Sequence, residues 1–480
     1  MIYVAAFLLL VAGLTYISLK REGSLIALAI CMFGVETLFA SQSTYFVDHS
    51  SFANLVIAAA LMFRCGFAFV RGQAVNPFGT NTWRLAGLLI GVCLFTYLWT
   101  PETEQFTENW KRGGPYVLIY LLLVPMMMSS MEVARRTLMW TLAIGAVVTL
   151  VLFFGTDWQG RGIVLAGQSR FADKRDTAAV LAIAQLGGVV AIIAALIKIE
   201  KKRWTTFLRW AIVILGMAVI FRTGSRGQTV AAIGCIAAFV PLHNRSMSLR
   251  GVVTILGSIG IVGFAGYYMY LEFGDQGRWQ HSHSALAHRM EMWGVMFQYW
   301  VRGGPVAWFF GLGNASAYKY VGFYIHNIPI EILCEEGLIG FTIYALLFKR
   351  VIENGFLTLR VGEMMEPFRF NVLAIFLALF TFEVLLTLKS GSFHAQQLFI
   401  LYGVAIEVAL RGWQNDFNYL DDDDEYYDEY DDDPTQLDHG EYAYEDTEFE
   451  FEEEYANYED DWVEEERTPV SWSSKWNDPA

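Results

Sequence analysis

The stretch from Arg289 to His326 holds the residue types that could do chemistry on an anionic substrate. A histidine can accept or donate a proton near neutral pH, and an arginine can bind phosphate oxygens through two parallel hydrogen bonds. Asn327 is a good helix N-cap, and Pro329 suits the first turn because its missing N–H is not needed there. The sequence therefore predicts a helix that begins behind His326, with its positive dipole end at an anion site on a membrane surface.

Two further groups of arginines lie just before predicted helices. Arg170 precedes a span that begins near Thr177, while Arg222 and Arg226 flank a turn in which Ser225 is a natural cap. If the three helix ends converge, guanidinium groups, helix dipoles and free N–H groups point to one place, which would suit a diphosphate. Three other basic residues, predicted to lie on the same side of the membrane as these arginines, are interpreted as reaching to lipid headgroups: Arg161, Lys174 and Arg302.

The elements that must position these residues are apolar runs. The chain has 480 residues, 55% of them hydrophobic, and most runs are long enough to cross a bilayer. This predicts an all-α polytopic membrane protein with about 12–13 transmembrane helices. The candidate spans are 1–18, 24–40, 51–70, 83–99, 115–131, 137–155, 177–197, 206–221, 226–242, 251–271, 328–348, 370–388 and 392–410. All five cysteines lie inside such runs, so no disulfide framework or redox motif is indicated.

Lysine and arginine residues in the short loops predict the orientation of the spans. They fall on alternate loops, at Lys20-Arg21, Arg71, Arg135-Arg136, 198–203, Arg245 with Arg250, and Lys349-Arg350. This side is predicted to be cytoplasmic. The N-terminus and one large loop, 272–327, are then predicted to lie outside.

The C-terminal segment, 413–480, differs in composition from the rest of the chain. From Gly412 onward there are 27 acidic and 2 basic residues, which leaves 22 acidic and 32 basic residues before it. Acidic and aromatic residues interleave and cannot bury a core, so this segment is predicted to be a disordered cytoplasmic tail. A solvated polyanion is favoured over a binding segment for a basic partner. The predicted domains are therefore a transmembrane domain, 1–412, and this tail.

The motifs resemble those of the O-antigen ligase and polymerase superfamily of bacterial cell envelopes. The best match has three parts in order: Arg289 with Trp293, then Gly311-Leu312-Gly313, then His326-Asn327 with Glu335 and Gly337-Leu338-Ile339-Gly340. Two lesser matches are Thr223-Gly224-Ser225-Arg226-Gly227 and Arg170-Phe171. The resemblance covers roughly 160–350. Each piece alone is weak, but their order, spacing and shared side make the combination fairly specific.

The resemblance implies a GT-C-like glycosyltransferase of the bacterial cytoplasmic (inner) membrane that works without a metal or other cofactor. Such enzymes move a glycan from undecaprenyl diphosphate at the outer face to the lipid A core of lipopolysaccharide, to another lipid-linked glycan or to a protein hydroxyl. Whether this chain is a ligase or a polymerase stays open. The expected partners are the lipid-linked donor, a glycan, lipid or protein acceptor and membrane lipids, with no nucleic acid.

Residue by residue, the resemblance implies that Arg170 and Arg226 hold the diphosphate, Arg289 contacts donor or acceptor, and His326 is the catalytic group. Arg222 is a further diphosphate candidate from its position beside Arg226. The expected supporting residues are Asn327, Glu335, Trp293, Gly311 and Gly313.

Other carboxylates and histidines of the sequence have different expected roles. Nine residues separate His326 from Glu335, about 180° on a straight helix, so Glu335 is expected to anchor a neighbouring helix rather than form a dyad. Glu383 could orient a basic residue of the site or simply pack. A metal site is disfavoured, because no carboxylate or cysteine is arranged around the candidate histidines His281, His283 and His288.

The alternative function is a transporter of a small anion. Such a protein would place broken helices and charged residues near the bilayer midplane, whereas these spans carry few charges there. A catalytically idle scaffold is a third possibility. The sequence favours the enzyme, because the arginines and His326 are collected beside one large loop.

Overall fold

The structure is a computed structural model, and it describes residues 2–49, 51–159, 162–167, 177–198, 203–243, 282–322, 324–362, 365–388, 393 and 397–425. In this part of the chain the regular structure is helical, apart from one antiparallel hairpin of two residues per strand. The chain divides into two compact units, Met1–Asp421 and Asp422–Ala480, and nearly all described residues belong to the first.

The first half contains nine α-helices: α1 (Ile2–Lys20), α2 (Ser24–Ile30), α3 (Met32–Gln42), α4 (Thr44–Asp48), α5 (Ser51–Val70), α6 (Asn81–Phe95), α7 (Thr103–Val117), α8 (Val124–Met127) and α9 (Met131–Phe154). Short 3₁₀ turns lie at Pro77–Gly79 and Thr96–Leu98, and a π-helical segment at Leu118–Leu123. The hairpin strands are β1 (Trp158–Gln159) and β2 (Gly162–Ile163). The described helices that follow are α10 (Thr177–Leu196), α11 (Arg203–Thr223), α12 (Arg226–His243), α13 (Ser282–Arg302), α14 (Gly304–Phe310), α15 (Ser316–Val321), α16 (Ile328–Glu335), α17 (Gly337–Val361), α18 (Pro367–Thr387) and α19 (Leu398–Glu425).

Seven of the described helices are long and apolar enough to cross a bilayer, or eight if the bent pair α2–α3 is one span. The seven are α1, α5, α6 with its following 3₁₀ turn, α9, α10, α11 and α18. The chain is therefore an all-α, multi-pass membrane protein. The predicted span 251–271 lies outside the described residues.

Several predicted spans are not single straight helices, which is one reason why fewer than 12–13 spans are found among the described residues. The span 24–40 is broken at Cys31, where α2 and α3 meet at 70°. The span 115–131 is divided into the end of α7, the π-helical segment and α8. Pro115 and Pro125 lie in these pieces, and proline removes a backbone donor from the helical hydrogen-bond pattern.

Three further predictions differ in length or continuity. The span 328–348 is divided at Glu336 into α16 and α17, because Gly337 has a φ of 71° and redirects the backbone. The apolar part of α12 is shorter than a full span, Arg226–Val240. The large predicted loop is itself helical in its described part, where it forms α13, α14 and α15.

The last helix, α19, crosses the predicted start of the tail and continues from Leu398 to Glu425. The rest of the predicted tail lies outside the described residues.

Hydrogen bonds between α10 and α18 show that these two helices run in opposite directions. Near the end of α10, Asn371 Nδ2 of α18 donates to the Leu196 carbonyl at 2.9 Å. Nearer the start of α10, Gln185 Nε2 donates to Glu383 Oε2 of α18 at 2.7 Å. The first residues of α10 therefore lie at the same end of the bundle as the last residues of α18.

Hydrogen bonds from two arginines give the direction of α11 and place the end of α9 beside it. Arg209 of α11 donates to the Ile197 carbonyl at 3.0 Å, so α11 begins where α10 ends. At the other end of α11, Arg222 donates to the carbonyl of Phe153, the penultimate residue of α9, at 2.8 Å. The ends of α9, α11 and α18 and the starts of α10 and α12 thus share one end of the bundle, called here the site end.

The opposite end carries a cluster of basic residues and is called here the basic end. Lys20, Arg21 and Arg136 line one cavity, and Arg135 and Lys198 line another. These are residues of alternate short loops in the sequence, so the predicted alternation of charge agrees with their grouping in space.

Candidate functional site

The loop before α16 belongs to the site end and holds His326 in an unusual backbone conformation. The Asn327 side chain accepts the Ile330 N–H at 3.1 Å and donates to the Leu388 carbonyl, just after α18, at 3.3 Å. The predicted cap and the position of Pro329 in the first turn are confirmed. His326 has a φ of 56°, in the left-handed region that only a few per cent of non-glycine residues adopt.

The environment of His326 keeps its imidazole neutral. Its ring lies edge to face against Tyr324, with 4.4 Å between the ring centroids. Burial, and after it the positive charge of Arg289, lower the pKa of His326 to about 4. At neutral pH the imidazole is therefore uncharged, and a neutral imidazole has one ring nitrogen that can accept a hydrogen bond.

Arg289 and Trp293 reach this loop from α13. Their four-residue spacing places them on one face of the helix, where the Trp293 indole donates to the Ile325 carbonyl at 2.8 Å. This bond fixes the residue next to His326, and the charge of Arg289 affects both His326 and Tyr324. The first and third parts of the sequence pattern are therefore brought together.

The second part, Gly311-Leu312-Gly313, runs against the end of α16. Leu312 and Gly313 donate from their backbone N–H groups to the carbonyls of Cys334 and Glu335, each at 2.9 Å. Gly311 has a φ of 78°, and a Cβ added there would lie 2.1 Å from the Glu335 carbonyl oxygen. Both the conformation and the close backbone approach require glycine.

Glu335 is an anchor for this segment, as expected. Its two carboxylate oxygens accept the N–H groups of Ala315 and Ala317, both at 2.9 Å, at the start of α15. Ala315 has a φ of 67°, so the carboxylate holds a strained turn in place. The side chain is thus turned to α15, in agreement with the prediction that it forms no dyad with His326.

Sequence reasoning missed Asn314 and its partners. Asn314 is 1% exposed, its Nδ2 donates to Glu336 Oε1 at 2.6 Å, and its carbonyl accepts the Thr100 hydroxyl. Gly313 packs on the backbone of Thr100, so the glycine loop is held between the segment that follows α6 and its 3₁₀ turn and Glu336 at the start of α17. The signal in the sequence was the position of Asn314, a polar residue that directly follows the glycine motif and precedes a helix.

Sequence reasoning also missed two tyrosines, one of them in contact with His326, and the carboxylate that affects both tyrosines. Burial raises the pKa of Tyr318 to about 12, with the charge of Glu331 as the next cause and that of Arg112 opposing it. Burial and then Glu331 also raise the pKa of Tyr324, which Arg289 opposes. Both hydroxyls therefore stay protonated and can donate hydrogen bonds.

The first turn of α16 offers few free donors. Pro329 has none, the Ile330 N–H bonds to the Asn327 side chain, and the Glu331 N–H bonds to the Asn327 carbonyl at 2.9 Å. The idea of several free N–H groups at this helix end is therefore wrong. Any attraction of an anion here comes from the helix dipole and from nearby cations.

The three predicted diphosphate arginines differ in what the structure places around them. Arg226 is the first residue of α12, at the site end, after Gly224 with a φ of 65°. Arg222 donates to the Phe153 carbonyl, and its guanidinium lies 4.9 Å from the Phe153 ring and 4.8 Å from the Trp158 ring, which is a structural contact. Arg170 lies outside the described residues.

Other predicted groups have their own partners. The Glu383 carboxylate accepts a hydrogen bond from the Gln185 side chain at 2.7 Å. His288 lies 3.8 Å from Glu291, while His281 and the His283 side chain lie outside the described part of the chain. Within that part, no group of three histidine, cysteine, aspartate or glutamate residues could hold a metal ion.

No family model matches this chain, and the search of curated proteins found no match either. What the fold and the geometry define is a class: a multi-pass, all-α membrane protein with a polar, histidine-containing site at one end of its bundle.

Proposed function

We propose that the protein is a metal-independent membrane glycosyltransferase that moves a glycan from undecaprenyl diphosphate to an acceptor hydroxyl at the outer face of the bacterial cytoplasmic membrane. The observation that carries the proposal is the neutral His326 imidazole, held in a left-handed turn between Tyr324 and the charge of Arg289. The resemblance of this pattern to O-antigen ligases and polymerases supplies the reaction class.

In the proposed reaction the acceptor oxygen attacks the anomeric carbon of the donor sugar. The bond from that carbon to the diphosphate oxygen breaks, and the hydroxyl proton passes to the imidazole of His326. A base must be unprotonated before the reaction, and the low pKa of His326 ensures that it is. The imidazole is a weak base in the free protein, but the negative charge of a bound diphosphate would raise its pKa.

The leaving diphosphate needs fixed positive charge. Arg226 and Arg289 are the described candidates, with Arg170 as a third, because guanidinium groups bind phosphate oxygens in a bidentate manner and need no reorganisation during the reaction. Tyr324 and Tyr318 would donate hydrogen bonds to sugar hydroxyls from protonated phenols. Arg222 is assigned a packing role instead.

The test uses the purified full chain in detergent, undecaprenyl-diphosphate oligosaccharide, candidate acceptors and a chelator. Release of undecaprenyl diphosphate is followed for wild type, for His326→Asn and for the matched control His49→Asn. Asparagine tolerates the left-handed region, so His326→Asn removes the imidazole with little backbone strain. His49 is exposed and stacks on Tyr45, far from this loop in sequence.

The expected result is release by wild type and by His49→Asn, and a loss of about 10²–10⁴-fold in His326→Asn, the range typical of a general base. Product size then separates ligation of a single chain from stepwise extension. Equal release by His326→Asn and wild type would refute the role of His326. No release by any of the three proteins with a competent acceptor would refute the enzyme.

Two observations favour the alternative, a transporter of a small anion. The helices α2 and α3 are bent by 70° at Cys31, as in a broken span or a re-entrant loop, and Glu383 is 1% exposed with Gln185 as its hydrogen-bond partner. Broken helices and buried carboxylates are features of transporters. Anion flux into proteoliposomes that is reduced by Glu383→Gln, with no glycosyl transfer, would favour this function over the enzyme.

A further inference from the structure

The basic end of the bundle contains a cavity that the proposed reaction does not use. It has a volume of about 660 Å³, and Lys20 and Arg21 at the end of α1 face Arg136 and Trp140 of α9 across it. Arg136 also pairs with Glu132 at 3.0 Å, with both side chains nearly half exposed, and a guanidinium has further donors for another anion. Three cations around one cavity, with one carboxylate beside them, leave a net positive site.

An apolar groove leads away from this cavity. It lies between α1 and α5, has a volume of about 550 Å³, and is lined by residues from Leu8 to Leu19 on α1 and by Val56, Ala60 and Phe63 on α5. Leu8 and Leu19 are eleven residues apart, so the groove extends for roughly 16 Å along the helix. That length is close to one leaflet, which is about half of the ~30 Å hydrocarbon core.

The groove and the cavity meet at one side chain. Tyr16 lines the groove, and the ammonium group of Lys20, which lines the cavity, lies 4.9 Å from the centroid of the Tyr16 ring. A molecule with an apolar chain in the groove could therefore place a polar group among Lys20, Arg21 and Arg136. The direction is right for a lipid, because the chain would run from the basic end into the bilayer.

We propose that this combined surface is a binding site for an anionic phospholipid of the cytoplasmic leaflet. The phosphodiester binds among Lys20, Arg21 and Arg136, and one acyl chain lies in the groove between α1 and α5. Basic pockets between helices on the cytoplasmic side are suited to anionic headgroups, and the apolar groove distinguishes a lipid from a polar anion. This site lies at the opposite end of the bundle from His326 and does not depend on the proposed glycosyl transfer.

The acidic C-terminal segment is the other polyanion available to these cations. Its 27 acidic residues complement the charge of the cavity but would leave the apolar groove unused. The two occupants make different predictions. A lipid binds with a preference for headgroup charge and for an open groove, whereas the acidic segment would bring its carboxylates close to the amine of Lys20.

The experiment measures lipid adducts on the full chain by native mass spectrometry. Equal amounts of phosphatidylglycerol and phosphatidylcholine with identical acyl chains are offered in detergent to wild type and to three variants. The charge variant is Lys20→Gln with Arg21→Gln and Arg136→Gln. The matched control removes three other exposed charges predicted to lie on the same side: Arg71→Gln, Lys349→Gln and Arg360→Gln. The groove variant is Ala60→Phe.

We expect wild type and the matched control to prefer phosphatidylglycerol by at least about tenfold. Each basic residue near an anionic headgroup adds to the attraction, and screening of exposed charges by salt reduces the total. The charge variant should lose this preference, and Ala60→Phe should bind both lipids less without changing charge. Equal binding of both lipids to wild type, or an equal loss in the matched control, would overturn the proposal. So would a carbodiimide cross-link from Lys20 to the C-terminal segment in wild type without any phosphatidylglycerol preference. If the charge variant does not fold, the wild-type preference and Ala60→Phe still decide the question.

Discussion

Because the backbone at His326 is left-handed, we predict that glycine is more stable than alanine at this position, the reverse of their order inside a helix. A φ of 56° costs an L-residue about 1–2 kcal/mol, which glycine avoids. Glycine gives back about 0.4–1 kcal/mol through the larger entropy of its unfolded chain. His326→Gly should therefore be more stable than His326→Ala by roughly 0.5–1 kcal/mol.

The comparison between these two variants isolates the backbone. Both lose the ring contact with Tyr324, which contributes about 0.5–1.5 kcal/mol, so this loss cancels between them. The assay is denaturant unfolding of the full chain in mixed micelles, followed by tryptophan fluorescence. Lys349, exposed in the middle of α17, is the control position, where alanine should be more stable than glycine by about 1 kcal/mol.

The activity of the same variants separates stability from chemistry. His326→Gly, His326→Ala and His326→Asn should all lose glycosyl transfer, although their stabilities differ in order. If His326→Ala proves as stable as His326→Gly, the turn at 326 is not left-handed, and the geometry that presents the imidazole is refuted. If His326→Gly keeps full activity, the imidazole is not the base.

Two more predictions concern the groups around this turn. Glu335→Gln should destabilise the protein by roughly 2–4 kcal/mol in the same unfolding assay, because one of the two charge-assisted bonds to Ala315 and Ala317 is replaced by an amide that faces a donor; a change below 0.5 kcal/mol would contradict the anchoring role. The acid limb of kcat/KM should lie near pH 4 to 5, because the lowered pKa keeps His326 neutral above that range. Arg289→Gln should move the limb to higher pH, because it removes one of the two causes that lower the pKa of His326. An acid limb that Arg289→Gln leaves in place would contradict this assignment. The free energy of unfolding should also fall as the pH drops from about 6.5 towards 4, because the unfolded chain binds the proton at a higher pH than the folded protein does.

Local features of the site were predictable from the sequence because they depend on neighbours in the chain. Asn327 caps α16 and Pro329 occupies its first turn for reasons of backbone chemistry that act within four residues. The glycines at 311 and 313 were singled out by pattern, and the helix-forming apolar runs defined a multi-pass membrane protein. That Lys20, Arg21 and Arg136 lie at the same end of the bundle also followed from the pattern of charge in the loops.

Only the tertiary structure decided which of these local features meet. The breaks at Cys31 and Glu336 are not visible in hydropathy, because apolar residues continue on both sides of each break. The partners of Glu335 and the aromatic contacts of Arg222 depend on residues that are 15 or more positions away in the sequence. Apolar periodicity specifies that a helix is buried in lipid or protein, but the same pattern satisfies many pairings, so contacts between helices are set by packing of the whole bundle.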